Sequence, residues 1–426
     1  MSLRRPLVRQ SFLPFRERRL KLERMFKRGL CVFFAASFFF FLWAIPSARF
    51  GAKKLASMAI ERAVGASGEQ GKAVALKMEE TRRALEARRA LHEMFRRADA
   101  STKRFLSVSG MAPDDAILGR GNIDQVIFLS SKVFQNDDTG RSYRLRPGTR
   151  SIWVRGVAFG YKVLTFYLVP DTREMRISAK AAGIEILEDS VQTTNSWGLR
   201  GPEPDMNAEV RGIVVGDSFM QGVFIGDKET PPERLRHYLK TRWKTSVSVL
   251  NLGHLGYSPD QYDLTFQQYV DRFRPSFVVI GVCPNDFGDI DAVLKRGDGN
   301  WNEAKYRLDA IHYRCRLADA RCILVPIPWI DQMRTPRDSA NYPGALERIG
   351  NFMSMDYCDP IEDFVEASLR LSREADRTGS PSPWNPLYNG RIQDHHLSPI
   401  GADVWGKTVA RRIALLIEPV VDKKTP

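Results

Sequence analysis

The second half of the chain predicts an α/β domain, a parallel sheet covered by helices on both faces. Three observations carry this expectation. Short apolar runs at 212–215, 247–250, 277–282 and 322–326, with a weaker one at Tyr357-Cys358, have the length and content of buried strands. Helix-forming stretches at 232–243, 260–273, 303–318, 360–376 and 400–417 alternate with them or follow them. The crossover lengths suit right-handed βαβ units.

The chain begins with a basic segment. Residues 1–28 hold ten Lys/Arg against Glu17 and Glu23, and then residues 29–48 carry no charge and are dominated by Phe, Leu, Val, Ala and Trp. A helix of about 20 residues spans the hydrocarbon core of a bilayer. The predicted order is a basic cytoplasmic tail (1–28) and a transmembrane signal-anchor (29–48). Only Arg49, Lys53 and Lys54 follow the span closely, so the positive-inside rule places the N-terminus in the cytoplasm and the rest outside. Pro46-Ser47-Ala48 is a poor cleavage site for a signal peptidase, which favours an anchor over a removed signal.

Residues 49–108 read as a helical stalk, with one helix from about Lys72 to Phe105 rich in good helix formers. Ala84, Ala87, Leu91, Met94, Ala98 and Phe105 form an apolar stripe interrupted at Ser101. Such a stripe either pairs two chains into a dimer or packs onto the chain's own globular part. It is Ala-rich and short for a coiled coil, which favours the second. Residues 109–190 read as a small antiparallel β-rich accessory region, with strands at 143–145, 151–154, 162–169 and 174–178 between turn signals such as Arg146-Pro147-Gly148 and Pro170-Asp171.

The formal charge of +14 would suggest a nucleic-acid partner if it were spread over a folded surface. With +8 in residues 1–28 and +7 in residues 49–108, the remainder carries −1. No nucleic-acid partner is predicted. Neither a Cys-x-x-Cys pair nor His/Cys ligand spacing occurs, so no metal or other cofactor is expected. Cys315 and Cys322, or either with Cys358, are candidates for pairing in an oxidising compartment.

Four short blocks lie in residues 191–420. Gly216-Asp217-Ser218-Phe219 follows the first apolar run, which places a serine at the tip of a buried strand. Asn251-Leu252-Gly253-His254-Leu255-Gly256 follows the second run and Asn285-Asp286 the third, and Asp394-His395-His396-Leu397-Ser398-Pro399 opens the last helix. Serine, glycine, asparagine and histidine in this order make up the signature of the SGNH, or GDSL-type, hydrolases. Residues 209–418 resemble that superfamily, and Asn195-Ser196-Trp197-Gly198-Leu199-Arg200-Gly201 is similar to the lead-in of its membrane-anchored bacterial members.

The resemblance implies a flavodoxin-like three-layer α/β/α sandwich with its reactive groups at the carboxyl ends of the strands. Acyl transfer needs a nucleophile, a base, an orienter for that base and donors for the oxyanion. By match, Ser218 is the nucleophile, His396 the base and Asp394 its orienter. The oxyanion hole is implied to be the Ser218 N–H, the Gly256 N–H and the Asn285 amide, with Gly253 a rival to Gly256. Two departures stand out: the family's aspartate commonly lies three residues before the histidine, where this chain has Gln393, and Cys283 replaces a glycine of the third block. His395 is the alternative base. The function implied is a membrane-anchored hydrolase acting on an acyl ester of cell-envelope or exopolysaccharide sugar or lipid, outside the cytoplasm. An O-acyltransferase with the same site and a non-catalytic envelope scaffold are the alternatives.

Overall fold

The computed structural model describes residues 92–418, apart from internal stretches at 113–116, 119–127, 138–141, 158–163, 334–340 and 380–384 and a few single positions. The basic tail, the apolar span and most of the stalk therefore lie outside the described residues. Among the described residues, no helix is long and apolar enough to cross a membrane.

The stalk helix does not run unbroken to Phe105. The chain bends at Ala98 and restarts as α1 (Ala100–Val108), because Asp99 takes an extended conformation and its carboxylate accepts the Thr102 N–H. Ala98 and Phe105 of the apolar stripe are buried within the chain itself.

After two two-residue strands, Ile117–Leu118 and Phe128–Leu129, come β1 (Phe134–Asp137), β2 (Ser142–Leu145), β3 (Arg150–Val157) and β4 (Leu164–Pro170). β1 pairs with β2, and β3 pairs antiparallel with β4 from Ser151↔Pro170 to Val157↔Leu164. Alternation along β3 and β4 serves two cores. Ile152, Val154, Tyr167 and Val169 pack with Phe105 and Leu106 of α1, whereas Trp153, Phe166 and Leu168 join the larger core of the C-terminal half. The expected strand at 174–178 is instead α2 (Arg173–Ala181). Glu-Met-Arg-Ile-Ser alternates in polarity, but the Thr172 hydroxyl caps a helix by accepting the Met175 N–H, and Met175, Ser178 and Ala179 are the residues it buries.

The C-terminal half runs β5 (Val210–Gly216), α3 (Ser218–Gln221), α4 (Pro231–Trp243), β6 (Val247–Gly253), α5 (Pro259–Phe273), β7 (Phe277–Val282), α6 (Trp301–Leu317), β8 (Arg321–Pro326), α7 (Asn341–Met353), β9 (Asp356–Tyr357), α8 (Ile361–Thr378) and α9 (Pro399–Leu416). The sheet order is β6-β5-β7-β8-β9 and every pairing is parallel. Numbered within the sheet this is 2-1-3-4-5, the flavodoxin-like doubly wound order. Helix α4 packs on α9, which also meets α8, while α5 packs on α6, which meets α7. These are the two helical layers. Helix α7 lies where no element is expected from the sequence; its Pro343 occupies the first turn, where a missing N–H costs nothing.

The candidate cysteine pairings are not formed. Cys283, Cys315, Cys322 and Cys358 are free and buried, and burial pushes the Cys322 thiol, which meets that of Cys315, well above its ordinary value.

Candidate active site

In an open parallel sheet the crevice forms outside the carboxyl ends of the strands where the winding reverses. Here that point lies between β5 and β7. β5 ends at Gly216 and delivers Ser218 as the first residue of α3, and β7 ends at Val282 and leads into Cys283, Asn285 and Asp286. The switch point is therefore bracketed by the first and third sequence blocks, and β6, on the other side of β5, ends in the second.

The turn that carries Ser218 is closely packed. The Asp217 carboxylate caps α3 by accepting the Phe219 N–H at 2.9 Å, and Gly222 closes the helix with φ 76°. A Cβ on Gly253 would strike the backbone of Met220 and Gln221, so this glycine lets β6 lie against the serine's helix. Its neighbour Gly256 is exposed and has φ 68°. The Gln221 side chain accepts the Leu255 N–H at 2.5 Å, which ties the Gly256 loop to α3.

The last block closes onto this turn. His396 Nε2 lies 2.8 Å from Ser218 Oγ, and His396 Nδ1 lies 2.5 Å from Asp394 Oδ1. The same carboxylate oxygen accepts the His396 backbone N–H at 2.8 Å. That local closure explains the two-residue spacing, since the acid reaches the ring by folding back over its own turn. His395 points elsewhere: it is exposed and stacks on Trp329 at 5.4 Å. Ser398 then caps α9 by accepting the Gly401 N–H.

The electrostatics suit a general base. Burial works against the charged His396, yet the charge of Asp394, its hydrogen bond and the charge of Asp217 outweigh it, and the imidazole is raised above 6.5. Burial likewise works to raise Asp394, and the charge and hydrogen bonds of His396 overcome it and hold the carboxyl below its ordinary 3.8. Asp394 is thus a carboxylate wherever His396 titrates.

Asn285 is exposed at the end of β7, and its amide oxygen meets the Cys283 thiol. That sulfur also lies 3.0 Å from Asp217 Oδ2, bridging the first and third blocks where a glycine would leave a gap; its single S–H serves one of the two acceptors at a time. Burial pushes Cys283 well above its ordinary value, as do the charges of Asp217 and Asp286, so it stays a thiol and is no rival nucleophile. Asp217, Cys283 and Asp286 bring potential metal-ligand atoms within 4.8 Å of one another. Both carboxylates hold donors from the surrounding loops: Asp217 accepts the Phe219 N–H, and Asp286 accepts the Cys283 N–H at 2.9 Å and the Tyr262 hydroxyl at 2.7 Å. Burial and the charge of Asp217 raise Asp286 well above 3.8. The trio acts as a brace between loops.

No family model matches the chain, and no curated protein matches it. Solved structures do. TesA is 14% identical, covering 49% of this chain and 99% of its own, with a TM-score of 0.37. A catalytic mutant of Axe2, an acetylxylan esterase from Geobacillus stearothermophilus, is 16% identical over 48% and 94%, with a TM-score of 0.36. The lipase/acylhydrolase from Enterococcus faecalis is 17% identical over 49% and 98%, with a TM-score of 0.34. The likeness is one of fold and extends over about half of this chain.

One important residue has no role assigned to it from the sequence. Arg200, in the lead-in, has a side chain wholly removed from solvent. Its guanidinium donates to the carbonyls of Gln221 (2.8 Å), Gly222 and Ile225 (2.5 Å) and pairs with Asp227 at 3.2 Å. A buried fork of this kind fixes the backbone just beyond α3. The sequence signal for it is a lone basic residue in the lead-in, between Leu199 and Gly201. Arg200→Met is expected to destabilise the protein by about 3–5 kcal/mol, because three buried carbonyls lose their donor, while Asp227 keeps only those of Thr193. Chemical denaturation of the full-length protein measures it, and a change below about 1 kcal/mol would contradict the bracing role.

Proposed function

We propose that this protein is a membrane-anchored serine ester hydrolase of SGNH type, cleaving an acyl ester through an acyl-serine intermediate. The observation that supports it is the unbroken chain from Asp394 through His396 to Ser218, set at the sheet's switch point. His396 takes the serine proton as Ser218 Oγ attacks the ester carbonyl, and Asp394 stabilises the imidazolium. The Ser218 N–H heads α3, where first-turn amides have no acceptor within the helix, so it is free to meet the oxyanion together with the Gly256 N–H and the Asn285 amide. His396 then protonates the departing alcohol, and water repeats the sequence to release the acid. The substrate class proposed is an acylated envelope or exopolysaccharide sugar or a lipid.

A sugar acceptor is favoured by a specific feature. Trp329 and His395 stack within 15° of parallel, and Trp329 also meets Phe219 beside the catalytic imidazole. Trp329 is buried beneath this stack, so only the outer face of the exposed His395 ring is open to the apolar face of a pyranose. The second reading, acyl transfer to a sugar hydroxyl, uses the same residues. Product analysis with a short-chain aryl ester, with and without a sugar acceptor, separates the two. Free acid in both supports hydrolysis, an acylated sugar supports transfer, and neither product would leave the scaffold alternative.

The proposed topology follows from ten basic residues before the uncharged 29–48 segment. A reporter that works only outside the cytoplasm, fused after Pro426, is expected to be active, and the mature protein should keep its N-terminus. An inactive reporter on a stably expressed fusion would reverse the orientation, and a mature start near Arg49 would replace the anchor by a cleaved signal.

A further inference from the structure

We propose that Phe224 is a positioning residue for the catalytic histidine, and that through it the accessory sheet becomes part of the active site. The inference rests on the serine–histidine reading above. Its first support is conformational. Phe224 has φ 66°, a region that residues with a bulky side chain rarely adopt and keep only where their surroundings over-determine it. The surroundings here are identifiable. Arg200 grips the carbonyls of Gln221 and Gly222 before Phe224 and that of Ile225 after it, so the backbone on both sides of the strained residue is fixed by one buried guanidinium.

The second support is what the strain achieves. The Phe224 ring packs against Trp153 of β3 at 4.6 Å and Phe166 of β4 at 4.8 Å, and the same ring meets the His396 imidazole at 5.8 Å with a 74° interplanar angle. Phe219, from the nucleophile helix, meets that imidazole at 4.7 Å. His396 is held by hydrogen bonds at its two ring nitrogens, both lying in the ring plane. Two such bonds do not resist rocking of the ring about the line that joins them. Rings packed against the imidazole do resist it, and they keep Nε2 aligned first with Ser218 Oγ and then with the leaving oxygen. Simple core filling would not need this conformation, and the Phe224 side chain is only half-buried.

The test uses the full-length protein in detergent, with steady-state hydrolysis of an aryl ester, fluorophosphonate labelling and thermal unfolding. Phe224→Leu is expected to lower kcat roughly tenfold to a hundredfold, the scale of a small misplacement, with KM within about twofold. Phe224→Tyr should recover most of kcat, since it restores a ring. Phe224→Gly adopts the positive φ without strain, so it should unfold no lower than Phe224→Leu while losing at least as much kcat. A wild-type kcat in folded Phe224→Leu or Phe224→Gly would overturn the inference, as would a change in KM alone or a tyrosine variant as slow as leucine. Where wild type labels at Ser218 and the variants label equally fast, this inference fails alone. A wild type inert to both ester and probe overturns it together with the reading it rests on.

Discussion

Ser218→Ala is expected to lower ester hydrolysis by at least about 10⁴-fold and to abolish labelling by a fluorophosphonate, the largest effect anticipated from a single substitution here. The expectation follows from the geometry, since Ser218 Oγ is the atom 2.8 Å from His396 Nε2 at the end of β5. Stability should hardly change. The helix start is capped by Asp217 rather than by the serine, so removing one hydroxyl leaves the Phe219 N–H satisfied. Thermal unfolding of the variant should therefore overlay that of wild type. Equal hydrolysis by wild type and variant would sink the assignment of the nucleophile. Absence of activity and labelling in both would transfer weight to a scaffold that keeps the fold alone.

The residues that a strand periodicity can expose were legible before the structure. Four of the five parallel strands are largely apolar runs because they are buried on both faces, and the observed 277–282 strand coincides with the expected one, whereas the short edge strand Asp356–Tyr357 is only partly buried. The serine, glycine, asparagine and histidine blocks sit at strand ends or a helix start, where local sequence sets the turn. What escaped depends on contacts between distant residues or on competing local signals. Glu174 to Ser178 alternates in polarity like a strand, and only the Thr172 cap and the burial of Met175 and Ala179 select the helix. The stalk helix breaks at Ala98 because Asp99 caps a new helix more effectively than it continues the old one.

Arg200 and Phe224 show the other limit. No spacing rule connects position 200 to carbonyls at 221, 222 and 225, because the bridge forms only when the lead-in crosses to the edge strand, where Arg200 pairs with Asn251. Nor does any sequence pattern signal a phenylalanine with positive φ. The accessory region was legible as β-rich, but its two ties to the active-site loops were not. Tyr143 donates to the Leu255 carbonyl at 2.6 Å, and Tyr257 donates to the Tyr143 carbonyl at 2.6 Å. These bonds join the accessory hairpin to the loop that carries Gly256.

Asp394→Asn is expected to cost about 10⁴ in kcat with KM little changed, the pattern of an interaction made mainly in the transition state. Asparagine keeps the size and an acceptor, but it removes the charge that stabilises the imidazolium and allows the unproductive tautomer. The pH profile gives an independent readout. His396 is raised above 6.5 because Asp394 and Asp217 outweigh burial, so the base is lost as pH falls through that raised value. The acid limb of kcat/KM should therefore lie above 6.5 in wild type and move down in the variant, where burial is no longer outweighed by the same carboxylate. Stability should follow the same linkage. The raised histidine contributes stability that is complete below 6.5 and lost as pH rises through its folded value, while the lowered Asp394 contributes stability present above 3.8 and lost as pH falls through its own folded value. The stability gap between wild type and Asp394→Asn should thus be widest between those two values. His396→Ala should be at least as damaging to kcat, and His395→Ala far milder, because His395 stacks on Trp329 at the surface. A crippled His395→Ala beside a nearly silent Asp394→Asn would move the catalytic pair by one residue and contradict the 2.5 Å contact on which this assignment stands.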